Sequence, residues 1–295
     1  MKVGSMVAIA AGFALVTLAV PAPGKQKQQE AIKIGVADSM FRDVSAAKVD
    51  TLLPELERLV LEHAGLKNEI VKAGSSGELA NKINDKAVHL GVFFGFEFAW
   101  ARQSYPELKP LIIAVQRQRS LKAFVVVAKE NPAASIADLK RSVLSIPGGC
   151  PEHCRLFLER ELTFMGADQK GFFGQTVVHP TSEDALDDLL RGKVQAVLVD
   201  GIGMDVYRQV NPGRYARLKI LKFVEGFPPT VLVYREGGID AATLVKLKKG
   251  LVSANSTVGG KEQLGQLNLS AFENVPADYE SMLADIFKRY PAPLK

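Results

Sequence analysis

HPTSEDALDDLLRGKVQAVLVD, residues 179–200, changes its period halfway along. Thr181-Ser182-Glu183-Asp184 has the form of a capping box, and Leu186, Leu189 and Leu190 then recur at helical spacing as far as Gly192. Residues 194–199 form a short, almost wholly apolar run that suits a strand covered on both faces. A capped helix feeding a buried strand through a tight turn points to α/β packing around a mainly parallel sheet.

The same alternation continues in both directions. Residues 32–36 alternate as a strand, and residues 48–63 carry Leu52, Leu53, Leu56, Leu59 and Val60 at helical spacing. Pro54 is expected to kink or restart that helix, and Gly65 to end it. Strand runs follow at 69–73, 89–96, 108–115 and 124–128, the last two separated by the basic stretch 116–120. The second half has a short helix at 136–140, a strand at 143–146, a helix at 151–165 and a strand at 176–178. Strands at 218–224 and 231–234 and helical segments at 241–255 and 277–289 close the chain. This order predicts two α/β lobes, one from residues 31–122 plus 230–295 and the other from 123–229. The chain crosses between them twice, and the natural place for a ligand is the cleft where loops leave the strand ends.

Residues 1–24 hold Lys2, an apolar run over 6–20, then small residues and prolines, which is the pattern of a secretory signal or, if retained, an N-terminal anchor. Residues 25–30 read as a polar tether. Without the signal the chain has 36 basic and 32 acidic residues, a mild excess with no basic block interleaved with aromatics, so nucleic-acid binding has no support. Two cysteines are too few for a fold built on disulfides, and the core must come from packing.

Several blocks resemble the phosphate/phosphite/phosphonate substrate-binding proteins of ABC transporters, which have the type II periplasmic binding fold. KIGVADSMFRDV is similar to that family's first strand and the loop after it, with Phe41 in the loop. LGVFFGFEFAWAR resembles the strand that ends in a ligand-facing aromatic, here Phe94 or Phe96. The stretch 179–200 and LKILKFVEGFPPTVLVYRE resemble later strand and return segments. The resemblance implies an exported, periplasmic or membrane-anchored monomer that binds a small anionic or zwitterionic solute between its lobes and delivers it to a membrane permease. Acids at positions like Asp200 and Glu225 imply recognition of an amino group on that solute. One departure concerns the ligand: where the family carries hydroxyls, this chain reads Gly148-Gly149-Cys150-Pro151-Glu152-His153-Cys154.

In that loop Cys150 is placed as N-cap and Pro151 as first helical residue, so backbone amides after Gly149 would face an anion. Cys150, His153 and Cys154 also raise three chemistries, in the order of a disulfide between Cys150 and Cys154, free buried thiols, and a metal site. Only three metal ligands are local, and no metal or other cofactor is expected. Ser75 and Ser76 read as a helix cap that could also touch a ligand from the first lobe. His179 stands at a strand end, as a polar cleft residue or a structural histidine. Arg117 and Arg119 precede the crossover strand as anion partners or a solvated basic face. An enzyme finds little support, with no G-x-S-x-G, phosphate loop or dinucleotide fingerprint. A cysteine nucleophile with His179 is the weakest reading, and a ligand-sensing domain for a signalling partner is the alternative to transport.

Overall fold

The computed structural model describes residues 31–292 apart from residues 43 and 118. The signal-like segment 1–24 and the tether 25–30 lie outside the described residues. β1 (Ile32–Val36), β2 (Asn68–Lys72) and β3 (Leu90–Phe93) run parallel, connected by α1 (Ala46–Ala64) and α2 (Ser76–Asn84). α3 (Gly95–Ser104) leads into β4 (Leu108–Val115), from which the chain passes to a second sheet. That sheet begins with β5 (Leu121–Ala128) and β6 (Val143–Ser145), followed by α4 (Glu152–Phe164), α5 (Gln169–Phe172), β7 (Gln175–Val177) and α6 (Ser182–Leu190). β8 (Ala196–Asp200), α7 (Gly201–Val210), α8 (Pro212–Tyr215) and β9 (Leu218–Phe227) complete it. β10 (Thr230–Arg235) re-enters the first sheet, and α9 (Ala241–Ser253), α10 (Val258–Gln266), β11 (Ala271–Asn274) and α11 (Tyr279–Arg289) end the described chain.

The first sheet has the order β11-β4-β10-β3-β1-β2 and the second β7-β6-β8-β5-β9. In each, three parallel strands carry the helical crossovers, and antiparallel strands connect it to the other sheet. Ala114 pairs with Thr230 and Leu121 with Phe227, so the two connections between the sheets lie side by side. The loops after β1, β3, β6 and β8 consequently open toward the junction between the lobes.

Local sequence accounts for most of these elements. Val125, Val126 and Val127 of β5 and Ala196, Val197 and Leu198 of β8 are wholly buried, as expected of strands covered on both faces. α1 starts at Ser45, whose side chain accepts the Lys48 N–H, and ends at Gly65 in the left-handed conformation (φ 60°) that glycine adopts without a Cβ penalty. Pro54 does not restart the helix: α1 runs through it unbroken, its packing against α9 and β2 outweighing one lost backbone hydrogen bond.

The largest departure from the sequence reading is at 89–96. The strand stops at Phe93, and Gly95–Ser104 is helix. A continuous apolar run does not distinguish a buried strand from a buried helix, and here the run spans both. Gly95 is required at the turn, because a Cβ there would lie 2.6 Å from the Pro228 carbonyl oxygen at the second crossover. α10 and β11 were also not anticipated.

α9 meets the end of α1 at Gly250, where a Cβ would lie 2.5 Å from the His63 carbonyl oxygen and 2.6 Å from Ala64 Cα. Ala normally favours a helix interior over Gly by about 1 kcal/mol, but forcing two backbones apart costs about 1–3 kcal/mol. Gly250→Ala is therefore expected to lower stability by up to about 2 kcal/mol in urea denaturation, and a stabilised variant would show that the helices separate freely.

Candidate ligand-binding cleft

A cavity of about 450 Å³ lies between the lobes. One wall is Gln116 and Arg117 at the first crossover, with Gly265, Asn268 and Ser270 near the start of β11. The opposite wall is the β6–α4 loop from Pro147 to Pro151, joined by Ser182, Asp200 and Ile202. Gly149 and Cys150 thus line the cavity. Gly149 takes φ 72°, which lets the loop turn into the start of α4. The cap falls one residue later than expected, at Pro151 rather than Cys150, with Glu152 the first helical residue.

Asp200 ends β8 and caps α7, its Oδ1 accepting the Gly203 N–H at 3.0 Å. One carboxylate oxygen thereby satisfies a helix end on the cavity wall. Ser75 similarly caps α2 in a reciprocal capping box with Glu78, and Ser76 is the first residue of that helix. Phe41 lies in the turn after β1 with the Lys72 ammonium 5.3 Å from its ring centroid.

Other expected site residues are engaged elsewhere. Phe96, on α3, is buried with its ring edge-on to Trp100 (5.1 Å between centroids) and Phe227 (6.4 Å), while Phe94 caps the helix and stacks on Phe96. Glu225 pairs with Lys122 at 3.3 Å on an exposed surface. His179 donates from Nε2 to Asp188 (3.2 Å), and its Nδ1 lies 2.7 Å from the Ser145 hydroxyl. This row has the composition of a hydrolytic triad, but Ser145 is fully buried in β6, so it braces strand ends and presents no nucleophile. Lys193, with His179 and Arg191, holds the Asp188 carboxyl down at about 2.

The two cysteines are free thiols, so the expected disulfide is not formed in this structure. Cys154 lies inside the first turn of α4 and points into the core, where burial and contact with the Cys150 thiol push its pKa well up. That is the environment of an inert thiol. His153 is buried beside it, donating from Nε2 to the Lys122 carbonyl at 3.0 Å, and burial lowers its pKa. Its ring rests 5.3 Å from that of Phe227. No group of three or more metal-ligating side chains is present among the described residues.

Two side chains that the sequence did not single out stand where the lobes meet. Glu97, on the first turn of α3, is only 5% exposed and accepts one long hydrogen bond, from the Phe94 N–H at 3.3 Å. The Ser39 hydroxyl, buried and without a partner at ordinary hydrogen-bond geometry, lies beside it. Burial raises the Glu97 carboxyl to about 7; Ser39 and the Phe94 N–H oppose the rise, Glu152 adds to it, and Arg42 opposes it. Arg42, on the loop after β1, meets Glu152 of α4 at 3.0 Å and so ties the first lobe to the second.

Two α/β lobes joined by paired crossovers, with a cavity between their strand-end loops, make up the architecture of a periplasmic solute-binding protein. The chain belongs to the family of periplasmic phosphonate substrate-binding proteins of ABC transporters, whose profile matches residues 39–279. No curated protein matches the sequence. Its fold is similar to that of XAC2383 from Xanthomonas citri bound to ATP, at 15% identity and TM-score 0.59, covering 88% of this chain and 96% of that one. It is similar to PhnD1 from Prochlorococcus marinus in complex with methylphosphonate, at 16% identity and TM-score 0.56, covering 88% and 97%. A binding component of an ABC phosphonate transporter from Pseudomonas aeruginosa matches at 14% identity and TM-score 0.53, covering 90% and 91%. Among the described residues no helix is long and apolar enough to cross a membrane.

Folding keeps a proton on Glu97 that the unfolded chain has already lost, so its contribution to stability falls as pH rises from about 4.5 to about 7 and is level above that. The whole effect is about 3 kcal/mol. Glu97→Gln removes it. The variant is expected to gain stability relative to the parent between pH 5 and pH 8 in urea titrations, and a pH-independent difference would exclude the buried carboxyl as its source.

Proposed function

We propose that the chain is the exported solute-binding component of an ABC uptake system, which takes a small polar solute with an anionic group into the interlobe cavity and presents it to a membrane permease. The observation that carries this reading is the pairing of Arg117 with the β6–α4 loop across one cavity. A guanidinium faces the start of a helix whose backbone N–H groups and dipole favour negative charge. Gly149, Cys150 and Asp200 are the contacts from the second lobe, with Asp200 available to an amino group of the solute. Phe41, Phe94, Ser75 and Ser76 are not among the residues that line this cavity, whose first-lobe contacts include Gln116, Arg117, Asn268 and Ser270.

Closure around the solute takes place about the two crossovers, residues 116–120 and 228–229. These short segments are the natural positions for the backbone rotation of a hinge. The protein works as a monomer, and the apolar segment before residue 25 serves export. Binding requires no cofactor and no covalent chemistry, in keeping with the buried Cys154 and Ser145.

Mass spectrometry of small molecules released from the purified protein, followed by a thermal-shift screen of phosphate, phosphite, methylphosphonate and small sulfonates and carboxylates, tests this directly. At least one anion or zwitterion is expected to raise Tm and to be recovered unchanged. Arg117→Ala is expected to weaken that solute roughly tenfold, the worth of one charge-assisted contact. A screen without a stabilising solute, or conversion of the solute to product, would overturn the proposal.

A further inference from the structure

Side-chain charge cancels in the cavity lining. Arg117 is its cation and Asp200 its carboxylate, one from each lobe. An acid head group placed there gains one guanidinium and meets one carboxylate, so the head group by itself accounts for a modest share of the binding. Asp200 takes the Gly203 N–H on Oδ1 at 3.0 Å, and its second oxygen accepts no hydrogen bond from the described residues. The other unengaged polar side chains of the lining are neutral. Gln116 and Asn268 stand on the first-lobe wall and Ser182 on the second, and none of these three side chains has a hydrogen-bond partner among the described residues. Asn268 follows the end of α10 at φ 55°, in the left-handed region that Asn enters more readily than most residues with a side chain. No aromatic ring is among the described lining residues.

A carboxamide carries donors and an acceptor side by side, which neighbouring hydroxyls match, and a carboxylate oxygen accepts from a hydroxyl without needing a cation. At about 450 Å³ the cavity falls among clefts that enclose ligands larger than the few atoms of an acid head group. An alkyl tail would leave both carboxamides unpaired as the lobes close, at a cost for each, and an aromatic one would also find no ring to stack on. We propose that the solute is a polyhydroxylated acid, a polyol or sugar derivative with one acid group, whose hydroxyls bond to Gln116, Asn268, Ser182 and the second oxygen of Asp200 while the acid lies at Arg117. The inference rests on the solute-binding reading and adds the solute's class. Asp200 then accepts hydroxyls instead of an amino group, and the neutral side chains set the specificity.

Three matched probe pairs test this by calorimetry: propionate and glycerate, hexanoate and gluconate, propyl phosphate and glycerol 3-phosphate. Within a pair the acid group and the number of carbons are constant and only the hydroxyls differ. The hydroxylated member of at least one pair is expected to bind roughly tenfold more tightly than its partner, the worth of one or two neutral hydrogen bonds. Asn268→Gly removes the carboxamide and keeps the left-handed backbone free of strain. This variant and Gln116→Ala, each checked for folding by circular dichroism, should shrink the ratio about threefold. Arg117→Ala should weaken both members and leave their ratio unchanged. Equal affinities within every pair that binds, an unchanged ratio in both carboxamide variants, or tighter binding of β-alanine than of glycerate would overturn the hydroxylated class and leave the solute-binding reading intact. If no probe binds, the hydroxylated class fails as well, and the wider screen of anions decides the solute-binding reading by itself.

Discussion

Phe227 is the contact on which the two lobes depend. It ends β9, the last strand before the chain returns to the first sheet, and it is fully buried. Its ring lies 4.9 Å from Tyr290, 5.3 Å from His153 and 6.4 Å from Phe96, so it touches elements of both lobes at once. Aromatic groups at these separations contribute their packing area plus a smaller directional term. One apolar cluster consequently runs from Leu79 and Ile83 in the first lobe through Phe227 to Leu158 and Leu162 in the second. A shared core at the crossovers ties the two lobes together, and it packs the helix starts of α3 and α4 into one cluster. Those two helix starts carry Glu97 and Glu152.

The cleft shows how a family architecture accommodates a changed polar inventory. In the β6–α4 loop glycines and a cysteine stand where hydroxyls are expected, so this part of the cavity wall has few side-chain polar groups. The charged groups have been redistributed as well. Arg117 faces the cavity, Arg42 is bound to Glu152, and Glu97 is hidden at the lobe junction. His179, by contrast, is taken up between Ser145 and Asp188 and stabilises the strand ends behind the loop.

Much of the fold was legible in the sequence because strand and helix periods differ and the capping residues are strong. Thr181 caps α6 as read, Gly65 ends α1, and the valine runs of β5 and β8 are buried as their composition implies. The loop ahead of α4 was legible as a loop, since glycines before a helix signal are rarely ambiguous. Glu97 was not found, for a physical reason: it sits in LGVFFGFEFAW, an apolar run whose change from strand to helix leaves no break in hydrophobicity. Arg42 and Glu152 were missed as partners because their approach is a property of tertiary packing, with 109 residues between them. The free thiols show the same limit, since spacing alone does not say that Cys154 turns into the core.

The chain has a single tryptophan, Trp100 on α3. Its indole N–H is donated to the Tyr290 carbonyl at 2.7 Å, and its ring is edge-on to Phe96, one ring removed from Phe227. Indole emission from this protein consequently has one source, seated beside the joint of the two lobes. A rearrangement there alters the polarity and hydrogen bonding around one chromophore, and the molecule carries its own optical gauge of how its halves are packed.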